Sequence, residues 1–116
     1  MNRLELGKKG EDLAACYLQE RGCRLLCKNY RCPLGEIDLV MTKDNIIIFV
    51  EVKTRTNYNY GMPYESVSYH KIKKLRQVAN YFLKENCMTG KNCRFDVVSV
   101  LWTSLGHHIE IIENAF

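Results

Sequence analysis

The chain has 116 residues, of which 47% are hydrophobic and 26% charged, and its 17 basic and 13 acidic residues give a formal net charge of +4. This length predicts one domain, residues 1–116, with the composition of a soluble globular protein. The absence of any run of about 18 apolar residues argues against a membrane span, and the N-terminal MNRLELGKKGED lacks the apolar core of a signal peptide, so we expect a cytoplasmic protein with no membrane partner.

Helical spacing of apolar residues predicts a first helix over residues 2–21, followed by Gly22 as its C-terminal cap. Glu11 projects from the edge of the apolar face, beside Leu18. Gly7 and Ala14 lie near the same edge, where small side chains favour close packing. We therefore expect Glu11 to reach inward rather than straight into solvent.

Three strands are predicted next, over residues 23–31, 36–42 and 46–54, with CPLG and KDN as the turns between them. A loop over residues 56–65 then leads to a second helix that begins at Ser66 or Ser68 and ends near Asn86. Strands over residues 94–103 and 108–113 complete the chain. The order αβββαββ predicts an α/β fold with a mixed sheet flanked by helices.

Six cysteines are many for a chain of this length. None belongs to a CxxC pair, and without an export signal we expect reduced thiols. Cys23, Cys27 and Cys32 match the spacing of no common zinc module and lack a clear fourth ligand, so zinc is not favoured.

Charged residues interrupt the apolar stretch GEIDLVMTKDNIIIFVEVKTR, residues 35–55. Alternation along a strand places Glu36 and Asp38 on one face, about 6.6 Å apart, and likewise Glu51 and Lys53. Pairing about the KDN turn sets residues whose numbers sum to about 89 opposite each other. Asp38 then opposes Glu51, and Glu36 opposes Lys53.

Like charges that face each other across two strands are destabilising. Lysine or arginine could neutralise them in a surface ion-pair cluster, or a hard cation such as Mg²⁺ (or Mn²⁺) could bind the carboxylates. If the acids at positions 11, 36, 38 and 51 gather around a metal, 17 basic and nine acidic residues remain outside the pocket. Such a surface would attract phosphate, which favours nucleic acid as the partner.

GEID at residues 35–38 and EVK at residues 51–53 resemble the PD-(D/E)xK nuclease signature. Together with GKKGE at residues 7–11 and the helix HKIKKLRQVANYFL, they resemble the YraN-like family of uncharacterised bacterial proteins, which is similar to archaeal Holliday junction resolvases. The resemblance covers nearly the whole chain. It implies a restriction-endonuclease-like αβββαβ core and Mg²⁺-dependent hydrolysis of phosphodiester bonds.

The resemblance assigns roles to individual residues. Asp38, Glu51 and the backbone carbonyl of Val52 would be metal ligands, and Lys53 would be the catalytic lysine. Glu11 matches the first-helix glutamate of the resolvase-like branch and would complete the metal site. Glu36 is adjacent and accessory, and Ile37 replaces the proline of the signature without weakening the match greatly.

Nucleic-acid contacts are expected outside the acids. Arg55, on the face of Lys53, would contact a phosphate, a role that suits guanidinium. Lys71 and Lys74 lie near the edge of the second helix's apolar face, from which they could reach a groove, although ordinary helix solvation is slightly favoured for them. Gln77 and Tyr81 match a QxxxY pattern of the RecB-like branch, but helical geometry turns them towards solvent.

We therefore expect a metal-dependent endonuclease that acts on structured or branched DNA, with DNA favoured over RNA. The alternatives are a nucleic-acid-binding module that has a nuclease fold and does not cleave, and a structural domain with a surface ion-pair cluster. The tyrosines of the loop after the third strand could stack on unpaired bases or simply be exposed. Resolvases cut two strands symmetrically, which implies a homodimer, and the apolar residues of the final IEIIENAF are one candidate for its interface.

Overall fold

The computed structural model describes residues 1–57 and 68–116. In chain order the elements are α1 (Arg3–Glu20), β1 (Arg24–Cys32), β2 (Gly35–Lys43), β3 (Ile46–Arg55), α2 (Tyr69–Glu85), β4 (Cys93–Thr103) and β5 (Gly106–Ile112). This confirms the predicted order αβββαββ. Most of the predicted loop over residues 56–65, with the tyrosines proposed to stack on bases, lies outside the described residues, as does Ser66.

The strands form one five-stranded sheet in the order β1-β2-β3-β4-β5. Neighbours are antiparallel except β3 and β4, which are parallel. The parallel pair requires a crossover connection, and α2 lies in that connection. The predicted mixed sheet is confirmed, and its arrangement is consistent with a restriction-endonuclease-like core.

Each face of the sheet carries its own apolar cluster. One cluster joins α1 to the sheet through Ala14, Ala15, Leu18, Leu39, Met41, Ile48, Val50, Val98 and Val100. The other joins α2 to the opposite face through Tyr30, Ile37, Val40, Ile47, Phe49, Leu75, Val78, Ala79, Phe82 and Leu83. Cys23 belongs to the first cluster and Cys27 and Cys32 pack against the second, so these thiols cannot share a zinc ion.

The close approach of α1 to the sheet depends on a glycine that the sequence did not single out. A Cβ at Gly10 would lie 1.8 Å from Thr54 Oγ1, whereas a Cβ at Gly7 would meet nothing within 4 Å. The prediction that Gly7 serves close packing was therefore wrong, and Gly10 has that role. The ends of α1 lie within one residue of those predicted, with Asn2 as the N-terminal cap. Arg21, and not Gly22, is the C-terminal cap, and Gly22, at φ +93°, follows it.

The C-terminal segment packs on the body of the domain. Ile109 and Ile111 contact the α1-side cluster, and the ring of Phe116 stacks on Phe95 with centroids 5.1 Å apart. The buried carboxylate of Asp96 accepts a hydrogen bond from the Asn114 N–H at 3.1 Å and anchors the end of the chain. The IEIIENAF segment is thus partly used within the domain, which weakens its candidacy as a dimer interface. Neither described helix is long and apolar enough to cross a membrane.

Candidate active site

The β2–β3 hairpin follows the register predicted from its turn. Asp44 and Asn45 have φ values of 53° and 64°, as a two-residue type I′ turn requires. Pairing then runs from Lys43 opposite Ile46 to Leu39 opposite Val50, so that paired residue numbers sum to 89.

The two strands stop pairing immediately beyond Leu39 and Val50. The Val52 N–H, which would meet the Ile37 backbone if the register continued, instead donates to Asp38 Oδ2 at 2.8 Å. The carbonyl of a strand residue projects to the same edge as its N–H, so the Val52 carbonyl also points towards β2. The predicted pairing of Glu36 with Lys53 does not occur, because β2 and β3 have already separated.

Side-chain alternation in β2 breaks at Asp38. Ile37 belongs to the α2-side cluster, whereas Leu39, two residues further on, belongs to the α1-side cluster. The break matches a local irregularity in β1, where Asn29 has a φ of 53° and lies between residues paired to Leu39 and Ile37. Asp38 consequently borders cavities on both sides of the sheet.

The larger cavity, of about 350 Å³, lies between α1 and the opened strands. Glu11, Asp38, Glu51 and Lys53 all line it, as does Val52. Helix α1 contributes the rest of one wall through Arg3, Leu6 and Gly7. The structure thus brings the residues predicted to form a catalytic site into one cavity.

The smaller cavity, of about 180 Å³, lies on the α2 side and shares Asp38 and Glu51 with the larger one. Lys71 and Lys74 of α2 line it together with Glu36. Glu36 is largely exposed and pairs with Arg31 on β1, with Nε and Oε2 3.0 Å apart. It therefore lies beside the acidic pair without sharing the larger cavity.

Asp38 and Glu51 form a closely coupled acid pair. Burial raises the pKa of Asp38 to about 9, helped by a hydrogen bond from its carboxyl group to Glu51 and by the charge of Glu51. Only 11% of the Glu51 side chain is exposed. The proximity of a second buried carboxyl group thus disfavours the ionised form of Asp38.

Two lysines lie beside this pair. Burial and, to a smaller extent, the neighbouring Lys71 lower the pKa of Lys53 to about 8. Lys71 Nζ lies 3.5 Å from Glu51 Oε2. Burial acts to lower the pKa of Lys71, but its contacts with Lys53 and Glu51 outweigh burial and raise it. Lys71 is therefore the charged member of the lysine pair, a position that the sequence did not predict.

Asn29, which sequence reasoning missed, is a hydrogen-bond partner of Glu11 at the cavity. Burial raises the pKa of the Glu11 carboxyl, while a hydrogen bond from Asn29 and the charge of Lys28 oppose the rise. Asn29 is the residue with positive φ in β1, so the same irregularity that matches the break at Asp38 also presents an amide to Glu11. Asparagine tolerates a positive φ better than most residues, so an asparagine within a predicted strand is the sequence feature that could have indicated this irregularity.

The remaining predicted contacts lie around this centre. Arg55 ends β3 two residues beyond Lys53, and its buried Nε has no hydrogen-bond partner in the described part of the chain. Gln77 and Tyr81 are exposed, as helical geometry indicated. They line a surface depression beside Leu34 and do not reach the two cavities of the acid pair.

The donor set of the site fits a hard divalent cation. Across residues 1–57 and 68–116, no three His, Cys, Asp or Glu side chains come together as a complete protein-built metal centre. Mg²⁺, however, is usually bound by one or two carboxylates and several waters. Asp38, Glu51 and Val52 line one cavity and offer carboxylate and carbonyl oxygens, and a cation between the two acids would favour the ionised form of Asp38.

Fold and site together define an α/β protein with a mixed five-stranded sheet, opened at one hairpin around an acid pair and two lysines. The sequence model of the uncharacterised protein family UPF0102 matches residues 10–100, a range that includes this whole centre from Glu11 to Lys71. The chain belongs to this family, as its resemblance to YraN-like proteins predicted.

Relatives support the assignment along the full chain. A UPF0102 protein of Pelotomaculum thermopropionicum is 46% identical over 113 residues, which cover 96% of this chain and 94% of the relative. UPF0102 proteins of Dictyoglomus turgidum and Clostridioides difficile are 42% and 45% identical, and each alignment covers 100% of both chains.

Proposed function

We propose that this protein is a divalent-metal-dependent endonuclease that hydrolyses phosphodiester bonds in structured or branched DNA. The observation that carries the proposal is the meeting of Asp38, Glu51 and Lys53 at the point where β2 and β3 separate. Burial of Asp38 beside Glu51 costs stability at neutral pH, and perturbed acids in a cavity are typical of functional sites.

Asp38, Glu51 and the Val52 carbonyl would hold Mg²⁺ or Mn²⁺, with Glu11 on the opposite wall of the cavity. The cation would supply a Lewis acid that stabilises charge on the phosphodiester and lowers the pKa of bound water. Binding of the cation would favour the ionised form of Asp38, so it would release the proton that burial keeps on this carboxyl group.

Lys53 is suited to proton transfer at the attacking water. With a pKa of about 8 its amine is partly neutral near that pH, so it can accept a proton from water and then stabilise the negative charge on phosphate. Lys71 remains charged and offsets Glu51 from the α2 side. The two lysines thus divide the roles of proton acceptor and fixed positive charge.

The surroundings of the site suit a polyanion. Arg3 lines the larger cavity, Lys74 lines the smaller one, and Arg55 ends the strand that carries Lys53. These cations would contact phosphates on either side of the scissile bond. We further propose that the protein acts in the cytoplasm, where its six free thiols would stay reduced, and that it acts as a homodimer where two strands are cut symmetrically.

The test is incubation of purified protein with supercoiled plasmid and with a four-way DNA junction, in Mg²⁺, Mn²⁺ or chelator. We expect cleavage only with metal, and at least a 100-fold loss in Lys53→Ala, within the range that removal of general acid–base catalysis costs. Lys73→Ala is the matched control, because Lys73 is exposed on α2 and lines neither cavity. Cleavage that persists in Lys53→Ala would identify a contaminating nuclease. Salt-sensitive binding without cleavage across all substrates would favour a binding module instead.

A further inference from the structure

A row of surface depressions that share lining residues leads away from the acid pair along α2. Three depressions follow the smaller cavity of the site. The first lies beside the turn at residues 33–35 and shares Lys74 with the cavity, and the second shares Leu34 with the first. The third lies at the end of α2 and shares Tyr81 and Lys84 with the second. We call the surface formed by Leu34, Lys74, Tyr81 and Lys84 the α2 groove.

The α2 groove presents positive charge that the domain does not use. Helix α2 contains five basic residues and a single acidic one, Glu85. Lys74 and Lys84 are exposed and make no ion pair within the described residues. The acids that border the groove are already engaged, since Glu36 pairs with Arg31 and Glu85 accepts a hydrogen bond from the Tyr30 hydroxyl at 3.1 Å. The groove is therefore complementary to an anion.

Apolar surface lies between these cations. The side chain of Leu34, at the tip of the β1–β2 turn, is 43% exposed, and that of Tyr81 is 38% exposed. Contacts to a phosphate backbone alone would not require an exposed leucine and an exposed aromatic ring. Basic residues that alternate with stacking surfaces are typical of sites for unpaired bases, because a duplex hides the faces of its bases.

We propose that the α2 groove binds an unpaired DNA strand that leads away from the scissile phosphodiester, with one base stacked on Tyr81. Lys74 and Lys84 lie about 15 Å apart along the helix, which corresponds to about four phosphates of a stacked strand. The direction of this strand relative to the cut rests on the proposed function, which places the scissile bond at Asp38 and Glu51. Binding itself does not, because it is measured without cleavage and Leu34, Tyr81 and Lys84 line none of the cavities that contain the two acids.

The experiment measures binding without cleavage, by fluorescence anisotropy in chelator with Asp38→Asn protein. The probes are a blunt duplex, the same duplex with a single-stranded extension at either end, and a single-stranded DNA and a single-stranded RNA of equal length. We expect an extended duplex to bind at least fivefold tighter than the blunt one, and the RNA to bind no tighter than single-stranded DNA. Equal binding of blunt and extended duplexes, or a preference for RNA, would overturn the proposal.

Variants locate the binding in the groove. Replacing both Lys74 and Lys84 by alanine should lower the slope of log affinity against log salt by about 1.4, since each phosphate contact on a single strand contributes about 0.7. Arg76→Ala is the matched control, because it removes the same charge from the same helix and lines none of the depressions described. If Arg76→Ala lowers the salt slope by as much per removed charge as the double lysine variant does, the attraction is unspecific and the proposal is overturned.

Tyr81→Ala should weaken binding of the extended duplex roughly five- to 100-fold, and Tyr81→Phe should restore it, because stacking needs the ring and not the hydroxyl. An unchanged affinity in Tyr81→Ala would overturn the stacking contact. The outcomes also separate the two proposals. If wild type cleaves but these variants bind normally, the groove assignment fails and the nuclease stands. If wild type never cleaves but the variants behave as expected, the groove stands as a binding surface.

Discussion

Asp38 Oδ2 accepts a hydrogen bond from the Val52 N–H at 2.8 Å, across the gap where β2 and β3 no longer pair. One carboxylate oxygen therefore replaces a backbone acceptor of the sheet, while the carboxyl group also contacts Glu51. This contact keeps the hairpin open and keeps the acid in the opening. Structural and chemical roles of Asp38 can be separated by isosteric substitution, because asparagine retains an oxygen for Val52.

We predict that Asp38→Asn stabilises the protein when metal is absent. Between the ordinary pKa of 3.8 and the folded value of about 9, the folded protein keeps a proton on Asp38 that the unfolded chain has released. The free energy of unfolding should therefore fall as pH rises through this window. Asparagine removes this dependence, and at about pH 8 we expect a gain of roughly 1–2 kcal/mol, a few degrees in Tm.

Thermal unfolding in chelator, from about pH 5 to about pH 8, measures this effect. Near the upper end of this range Lys53 begins to lose its proton in the folded state, which adds stability to wild type and variant alike. Glu20→Gln is the control, because Glu20 is an exposed acid at the end of α1. Parallel curves for wild type and Asp38→Asn across this range would show that Asp38 ionises normally.

Lys71→Ala should change metal binding and stability in opposite directions. Without the ammonium 3.5 Å from Glu51, the metal-free protein should lose about 0.5–1 kcal/mol, the range of a partly exposed ion pair. A divalent cation no longer competes with that ammonium, so the rise in Tm on adding Mg²⁺ should be larger than in wild type. Lys73→Ala should match wild type in both measurements, and identical behaviour of the two variants would remove Lys71 from the site.

Asn29→Gly should impair the site without harming the fold. Glycine accepts the φ of 53° but cannot donate to Glu11, whereas alanine would add backbone strain. Loss of a partner that orients a metal-binding group typically costs about 10- to 100-fold in affinity or activity. Metal-dependent cleavage should therefore fall to the level of Glu11→Gln, while Tm stays close to that of wild type. Full activity in Asn29→Gly would show that Glu11 needs no orientation.

The two glycines of α1 should respond differently to substitution. Gly10→Ala would place a methyl group 1.8 Å from Thr54 Oγ1 and should cost about 1–3 kcal/mol in unfolding experiments. Gly7→Ala meets nothing and should gain up to about 1 kcal/mol from helix propensity. Gly7→Leu should fold equally well but fill the larger cavity and lower cleavage. Normal cleavage by Gly7→Leu would mean that substrate does not enter beside α1.

Regular features of the site could be predicted from the sequence. The turn at Asp44 and Asn45 sets the register of the hairpin, and this register carries Asp38 towards Glu51. Helical spacing placed Glu11 at the edge of α1, where the structure has it. These predictions succeeded because turn geometry and helical period depend on local sequence.

The features that sequence reasoning missed depend on contacts between distant elements. Strict alternation gave no reason to expect the break at Asp38, which coincides with the left-handed backbone at Asn29 on the neighbouring strand. Gly10 was overlooked because its role appears only when Thr54 packs against it. Lys71 was interpreted as a solvated helix residue, because the sequence does not show how α2 docks on the sheet. This docking sets the distance from Lys71 to Glu51.

The central claim is that the protein hydrolyses phosphodiester bonds at the site formed around Asp38 and Glu51. Its most direct test is single-turnover cleavage of a labelled four-way DNA junction in Mg²⁺, with wild type, Asp38→Asn and Glu20→Gln purified in parallel. We predict that Glu20→Gln cleaves like wild type and that Asp38→Asn, although folded and at least as stable, loses more than about 100-fold in rate. Equal cleavage by Asp38→Asn and wild type would contradict the claim.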